Sequence, residues 1–137
     1  MQDHFDPFAL VVDDDVLIRI DAASILQEAG FRTLEAGTVA DAIDILERSA
    51  ENIQLLFTDV EMPGGRNGFS LARECCCRWP DIGVLVSSGH LRPGPEDLPD
   101  AAMFVDKPFS AEVVFHRVAQ LLPDGAKPEQ LKEAVAE

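Results

Sequence analysis

Apolar and polar positions along this 137-residue chain switch between two periods. Short apolar runs closed by breakers predict strands, and stripes spaced three or four residues apart predict helices. Phe8–Val12 is the first such run and ends in Asp13, Asp14 and Asp15. Ile18, Ala22, Ile25, Leu26 and Ala29 then fall on one helical face, and Gly30 stands where a C-terminal cap would. Phe31–Ala36 predicts a second strand. Thr38 and Asp41 have capping-box spacing ahead of the stripe Val39, Ala42, Ile43 and Leu46. Ile53–Thr58 predicts a third strand, running into Asp59 and a Pro-Gly-Gly turn. Ala72, Cys75, Cys76 and Trp79 predict a third helix stopped by Pro80. Ile82–Val86 and Ala102–Val105 predict the last two strands. Ser110 would cap a final helix with Val114, Val118, Leu121 and Leu122 facing inward. Residues 124–137 form a polar tail with room for one short helix around Leu131, Ala134 and Val135.

Strands alternating with helices predict βαβ units and a parallel sheet, here a three-layer sandwich in one domain over residues 1–123. The net charge of −14 weighs against binding nucleic acid or an anionic membrane surface and suits Mg²⁺ or a basic partner. The N-terminus lacks a signal-peptide pattern, and no apolar run reaches membrane-spanning length, so the expected location is cytoplasmic. Cys75, Cys76 and Cys77 are consecutive. Neighbouring helical side chains fan apart, so the three read as small apolar residues and not as a disulfide framework or metal site.

Parallel strands put all their carboxyl ends on one edge, where α/β sheets carry their chemistry. Asp13 and Asp14, Asp59, Ser87 and Lys107 all fall at or just past such ends. Three carboxylates there repel one another unless a cation holds them, and an all-oxygen set favours Mg²⁺ or Mn²⁺. Lys107 adds a point charge suited to a phosphate oxygen and Ser87 a hydroxyl donor. The set describes a site for a transferring phosphoryl group, with a carboxylate as nucleophile.

In sequence order, VVDDD, TDVEMPG, VSSG and DKPF resemble the receiver domain of two-component response regulators over about residues 8–122. The resemblance implies a flavodoxin-like (βα)5 fold with a five-stranded sheet of order 2-1-3-4-5. It implies that Asp59 takes a phosphoryl group from a sensor histidine kinase or a histidine phosphotransfer protein. Asp14, Asp59 and the backbone carbonyl of Glu61 would bind Mg²⁺ directly, and Asp13 mostly through water. Lys107 would pair with the phosphate, Ser87 and Phe104 would act as the switch, and Lys107–Pro108 would be cis. The implied protein is a phosphoacceptor, not an enzyme acting on other substrates. It would be a stand-alone regulator signalling to a downstream protein target or within a phosphorelay, without DNA contact.

Three departures stand out. The turn after Asp59 is one residue longer than usual, displacing Gly68, which looks like the glycine opening the third helix. Glu61 points toward the phosphate mouth and is expected to set the lifetime of the phosphorylated form. Leu91–Asp100 holds three prolines and a glycine where a helix normally lies, which predicts a short or missing fourth helix. Alternatives stay open. The acidic triplet is also what a helix N-terminus prefers. The chain is also compatible with a receiver excised from a hybrid kinase. Asp59-Val60-Glu61 comes close to the acid pair of Mg²⁺-dependent aspartyl-phosphate phosphohydrolases, but no length is left for their cap. An FMN site would want a Ser/Thr/Gly-rich loop where the acids stand. A receiver used only as a scaffold would not need the full acid, hydroxyl and lysine set.

Overall fold

A computed structural model describes residues 7–62, 67–89 and 98–136. Five parallel strands, β1 (Phe8–Val12), β2 (Arg32–Ala36), β3 (Ile53–Asp59), β4 (Gly83–Ser88) and β5 (Ala102–Asp106), form one sheet of order 2-1-3-4-5. Helices cover both faces: α1 (Val16–Glu28), α2 (Val39–Ser49), α3 (Gly68–Arg78), α4 (Ala111–Leu121) and α5 (Glu129–Val135).

The period of two along each strand sorts the core. Ala9, Val11, Leu55, Phe57 and Leu85 pack under α1, α4 and α5. Their neighbours Leu10, Val12, Leu56, Val84 and Val86 pack under α2 and α3. The central strands are apolar on both faces, as a covered parallel sheet requires.

Local signals explain the boundaries. Asp15 caps α1 by accepting from the Leu17 and Ile18 amides at 3.0 and 3.2 Å. Gly30, at φ +100°, ends it in a Schellman turn, with Gly30 N donating to Gln27 O and Phe31 N to Leu26 O. Thr38 and Ser110 cap α2 and α4 as predicted, and Asn67 caps α3. Ladder bonding moves some limits. β2 starts at Arg32, β4 extends through Ser87 and Ser88, and β5 runs to Asp106. Leu122 is buried, and Leu121, half-buried, packs against the same core. In the tail, α5 lays Leu131 fully buried into the α1–α4 core. Among the described residues no helix lies between β4 and β5, where Leu98–Asp100 are irregular. The expectations for residues 90–97 and for the turn at 63–66 lie outside the described residues.

The three cysteines are free and graded in exposure: Cys75 buried, Cys76 half-buried, Cys77 exposed. Burial pushes the Cys75 thiol up to about 12, leaving almost no thiolate near neutral pH. Iodoacetamide should therefore modify Cys77 first in the folded protein and Cys75 only after unfolding. Peptide mass mapping checks the order, and early labelling of Cys75 would contradict the packing of α3.

Candidate functional site

The edge formed by the carboxyl ends of the strands gathers the acids. The ladder fixes their spacing: Val12 stands opposite Thr58 and Asp59 opposite Ser87. Asp13, Asp14 and Asp59 each offer a carboxylate oxygen, all within 4.8 Å of one another. Asp13 and Asp59 are only 4% exposed, while Asp14 is open to solvent. The acidic triplet thus divides its labour. Asp15 caps the helix, and the two acids before it face the edge.

Backbone bonds stiffen this arrangement. Asp13 N donates to Ala36 O at 3.1 Å, and the Asp15 amide donates to Asp13 Oδ1 at 2.9 Å. Arg19, paired with Glu35 at 2.9 Å, donates from Nη1 to the Asp13 carbonyl at 3.0 Å. Val60 N donates to Ser87 O and Gly68 N to Val60 O, tying the end of β3 to β4 and to α3.

Lys107 reaches in from beyond β5, after its amide donates to Ser88 O at 3.0 Å. Its Nζ lies 2.9 Å from Asp59 Oδ1 and 3.2 Å from Asp13 Oδ2, with the side chain 16% exposed. The directed hydrogen bond goes to Asp13, and Asp59 Oδ1 is left buried without an aligned donor. The Lys107–Pro108 peptide is cis.

The charges record the crowding. Desolvation, reinforced by Asp13, raises Asp59 from 3.8 to about 6, although Lys107 pulls the other way. Burial works against the charge on Lys107, yet Asp59 and Asp13 hold its pKa above the usual lysine value. Glu61 loses some solvation, but hydrogen bonding, first with Ser88 and then with Asp59, keeps its carboxyl below the ordinary range.

An all-oxygen acidic cluster with a buried, undirected carboxylate oxygen fits a hard divalent cation. Asp13, Asp14 and Asp59 are the side chains that would hold it. Ser87 is buried beside Asp59 and lines the same small cleft. Phe104 is half-buried, opposite Val86, on the other face of the sheet from Ser87. Its carbonyl accepts from Arg117 Nε at 3.4 Å.

Two further residues shape the edge. Phe109 stacks at a tilt on Phe57, ring centroids 5.2 Å apart, and walls the cleft under Asp59. Ser88, 2% exposed, donates from Oγ to Glu61 Oε2 at 2.7 Å. Phe109 had a signal, as an aromatic directly after Lys-Pro; Ser88 had none beyond its neighbour. His116 is exposed and away from the acids, and His90 lies outside the described residues.

Comparison with known proteins agrees in one direction. The family model described as "Response regulator receiver domain" matches residues 9–119. The chain is 30% identical over 116 residues to "Sensor kinase CckA" of Brucella abortus, covering 82% of this chain and 12% of that protein. It is 32% identical over 100 residues to "Putative two-component response regulator ARR21" of Arabidopsis thaliana, covering 72% of this chain and 16% of that protein. The chain therefore spans less than a fifth of the length of these two curated relatives. The crystal structure of the receiver domain from hybrid histidine kinase CckA superposes with a TM-score of 0.72 at 30% identity, over 85% of this chain and 99% of that one.

Proposed function

Because this chain belongs to the response regulator receiver domain family of two-component signalling, we propose that it takes a phosphoryl group onto Asp59 in a Mg²⁺-dependent transfer. The observation that carries the proposal is Asp59 itself. It is a buried carboxylate at a strand end, with one oxygen lacking an aligned donor, Lys107 at 2.9 Å and two further acids beside it.

In the transfer, an Asp59 oxygen bonds to phosphorus as the donor's P–N or P–O bond breaks, and the leaving group takes its proton from solvent. Asp13, Asp14, Asp59 and the Glu61 carbonyl would hold the cation, which when bound would supply charge neutralisation for the phosphoryl oxygens. Lys107, already poised between Asp59 and Asp13, shifts its charge onto a phosphoryl oxygen. Ser87 donates its hydroxyl to another, and Phe104 follows that movement as the readout. The product adds roughly −1.5 to −2 charges at an already acidic edge.

The donor is a sensor histidine kinase or a histidine phosphotransfer protein, and the output is a contact with a downstream protein. Support for a protein donor comes from α1, where Val16, Leu17 and Ile20 are exposed directly after the acids. No described helix is long and apolar enough to cross a membrane. The regulator acts alone in this reading. A second reading, the receiver of a longer kinase, is favoured by the match to a small part of a sensor kinase, and the chemistry at Asp59 is the same in both.

Intact mass after incubation with a small acyl phosphate should rise by one phosphoryl group with Mg²⁺ and not with chelator. Peptide mapping should put it on the Asp59 peptide. A protein that binds Mg²⁺ but accepts neither phosphoryl nor beryllofluoride would remove this function.

A further inference from the structure

Glu61 stands two residues past Asp59, and its carboxylate is not left to wander. Ser88, buried at the end of β4, donates its hydroxyl to Glu61 Oε2 at 2.7 Å. The two are 27 residues apart, so the contact exists only because β3 and β4 pair in register with Asp59 opposite Ser87. Ser88 is itself held: its carbonyl accepts the Lys107 amide at 3.0 Å. The anchor belongs to the same rigid frame as the lysine.

A hydrogen bond to a carboxylate from a buried hydroxyl is among the stronger ones. It competes with the entropy that would draw a glutamate side chain out to water. Glu61 is thereby folded toward the acid edge. Gly89, just past the end of β4, has only the Lys107 Cβ within 4 Å of where a side chain would begin, so it puts no bulk opposite.

We infer that Ser88 is a positioning residue: it holds the Glu61 carboxylate over the mouth of the Asp59 site, where it disfavours phosphodonors in proportion to their negative charge. This deepens the proposed phosphoacceptor function and rests on it. Acyl phosphates are dianions near neutral pH, and phosphoramidate is a monoanion. A fixed carboxylate several ångströms from the incoming phosphoryl group opposes the first about twice as strongly as the second. Releasing Glu61 to solvent roughly doubles its distance from the donor. At the high effective dielectric of an open mouth this corresponds to about two- to fivefold in rate for a dianion, and to less for a monoanion.

The experiment measures Mg²⁺-dependent phosphorylation rates with acetyl phosphate and with phosphoramidate for wild type, Ser88→Ala, Ser88→Thr, Glu61→Gln and the double variant Glu61→Gln/Ser88→Ala. Ser88→Ala should speed the acetyl phosphate reaction about two- to fivefold and the phosphoramidate reaction by clearly less. Ser88→Thr, which keeps the hydroxyl, should stay near wild type. Adding Ser88→Ala to Glu61→Gln should change neither rate. In metal-free protein, the Glu61 side-chain carboxyl carbon resonance should move in Ser88→Ala and stay in Ser88→Thr, a readout independent of phosphorylation. Equal changes with both donors, or an effect of Ser88→Ala that persists in Glu61→Gln, would overturn the inference while leaving Asp59 as acceptor. A wild type that gains no phosphoryl group from either donor would overturn the function and this inference together.

Discussion

Asp59→Asn is expected to accept no phosphoryl group and, in chelator, to be more stable than the wild type. The first part follows from the nucleophile: an amide in that place has no anionic oxygen to attack phosphorus. The second follows from the raised pKa. Desolvation, with Asp13 nearby, lifts Asp59 from 3.8 to about 6 despite Lys107. Between those values the folded protein binds more protons than the unfolded chain. Wild-type stability therefore falls as pH rises through that window, and the full cost is present above it. A gap of roughly two pKa units corresponds to about 3 kcal/mol. That figure already includes the opposing pull of Lys107, so the asparagine variant, which escapes the cost, is expected to gain about 3 kcal/mol near pH 8. The difference should vanish below about pH 4. Urea unfolding in chelator at several pH values measures it. Excess Mg²⁺ should close the gap, because the cation binds the native wild-type cluster and stabilises it by mass action. A variant less stable than wild type at high pH in chelator would mean that the ion pair with Lys107 outweighs desolvation.

The strand ends that meet at Asp59 were legible because each depends on one short apolar run and the polar residue that stops it. Parallel pairing then does the rest, and the order 2-1-3-4-5 followed from the resemblance of four motifs. Caps were legible where a side chain and its target are three residues apart, as at Thr38 and Ser110. The strand limits were not, since Ser87 and Ser88 join β4 only through their ladder partners. Nor was the bond between Ser88 and Glu61, which needs the register of two strands. The short stripe of Leu131, Ala134 and Val135 pointed to a helix in the tail but not to where it docks. Nothing local says that α5 lays Leu131 into the core beneath α1 and α4. The acidic triplet showed both its meanings in sequence, and only the structure assigns one to Asp15 and the other to Asp13 and Asp14.

Gly68→Ala is expected to damage stability and phosphorylation together, although no side chain is lost. The helix α3 starts against the end of β3, with Gly68 N bonded to Val60 O at 2.9 Å. A Cβ on Gly68 would lie 2.0 Å from the Asp59 carbonyl oxygen, 2.8 Å from its carbon and 2.9 Å from Val60 Cα. These are backbone atoms fixed in the sheet and cannot swing aside as a side-chain tip would. About 1 Å of displacement must come from α3 or from the strand end, both close-packed. Overpacking of this kind costs about 3 kcal/mol or more. If the strand end yields, Asp59 moves with it, and a 1 Å error in a reacting group can cost on the order of 100-fold in rate. Gly125→Ala is the matched control, because nothing lies within 4 Å of its Cβ position. It should stay within about 0.5 kcal/mol of wild type. Urea unfolding and acyl phosphate kinetics on both variants separate the outcomes. Loss of stability with a normal rate would place the give in α3, and loss of both would place it in β3 beneath Asp59. A Gly68→Ala protein as stable and as reactive as Gly125→Ala would show that the close approach of α3 to the acid strand is not what fixes the nucleophile.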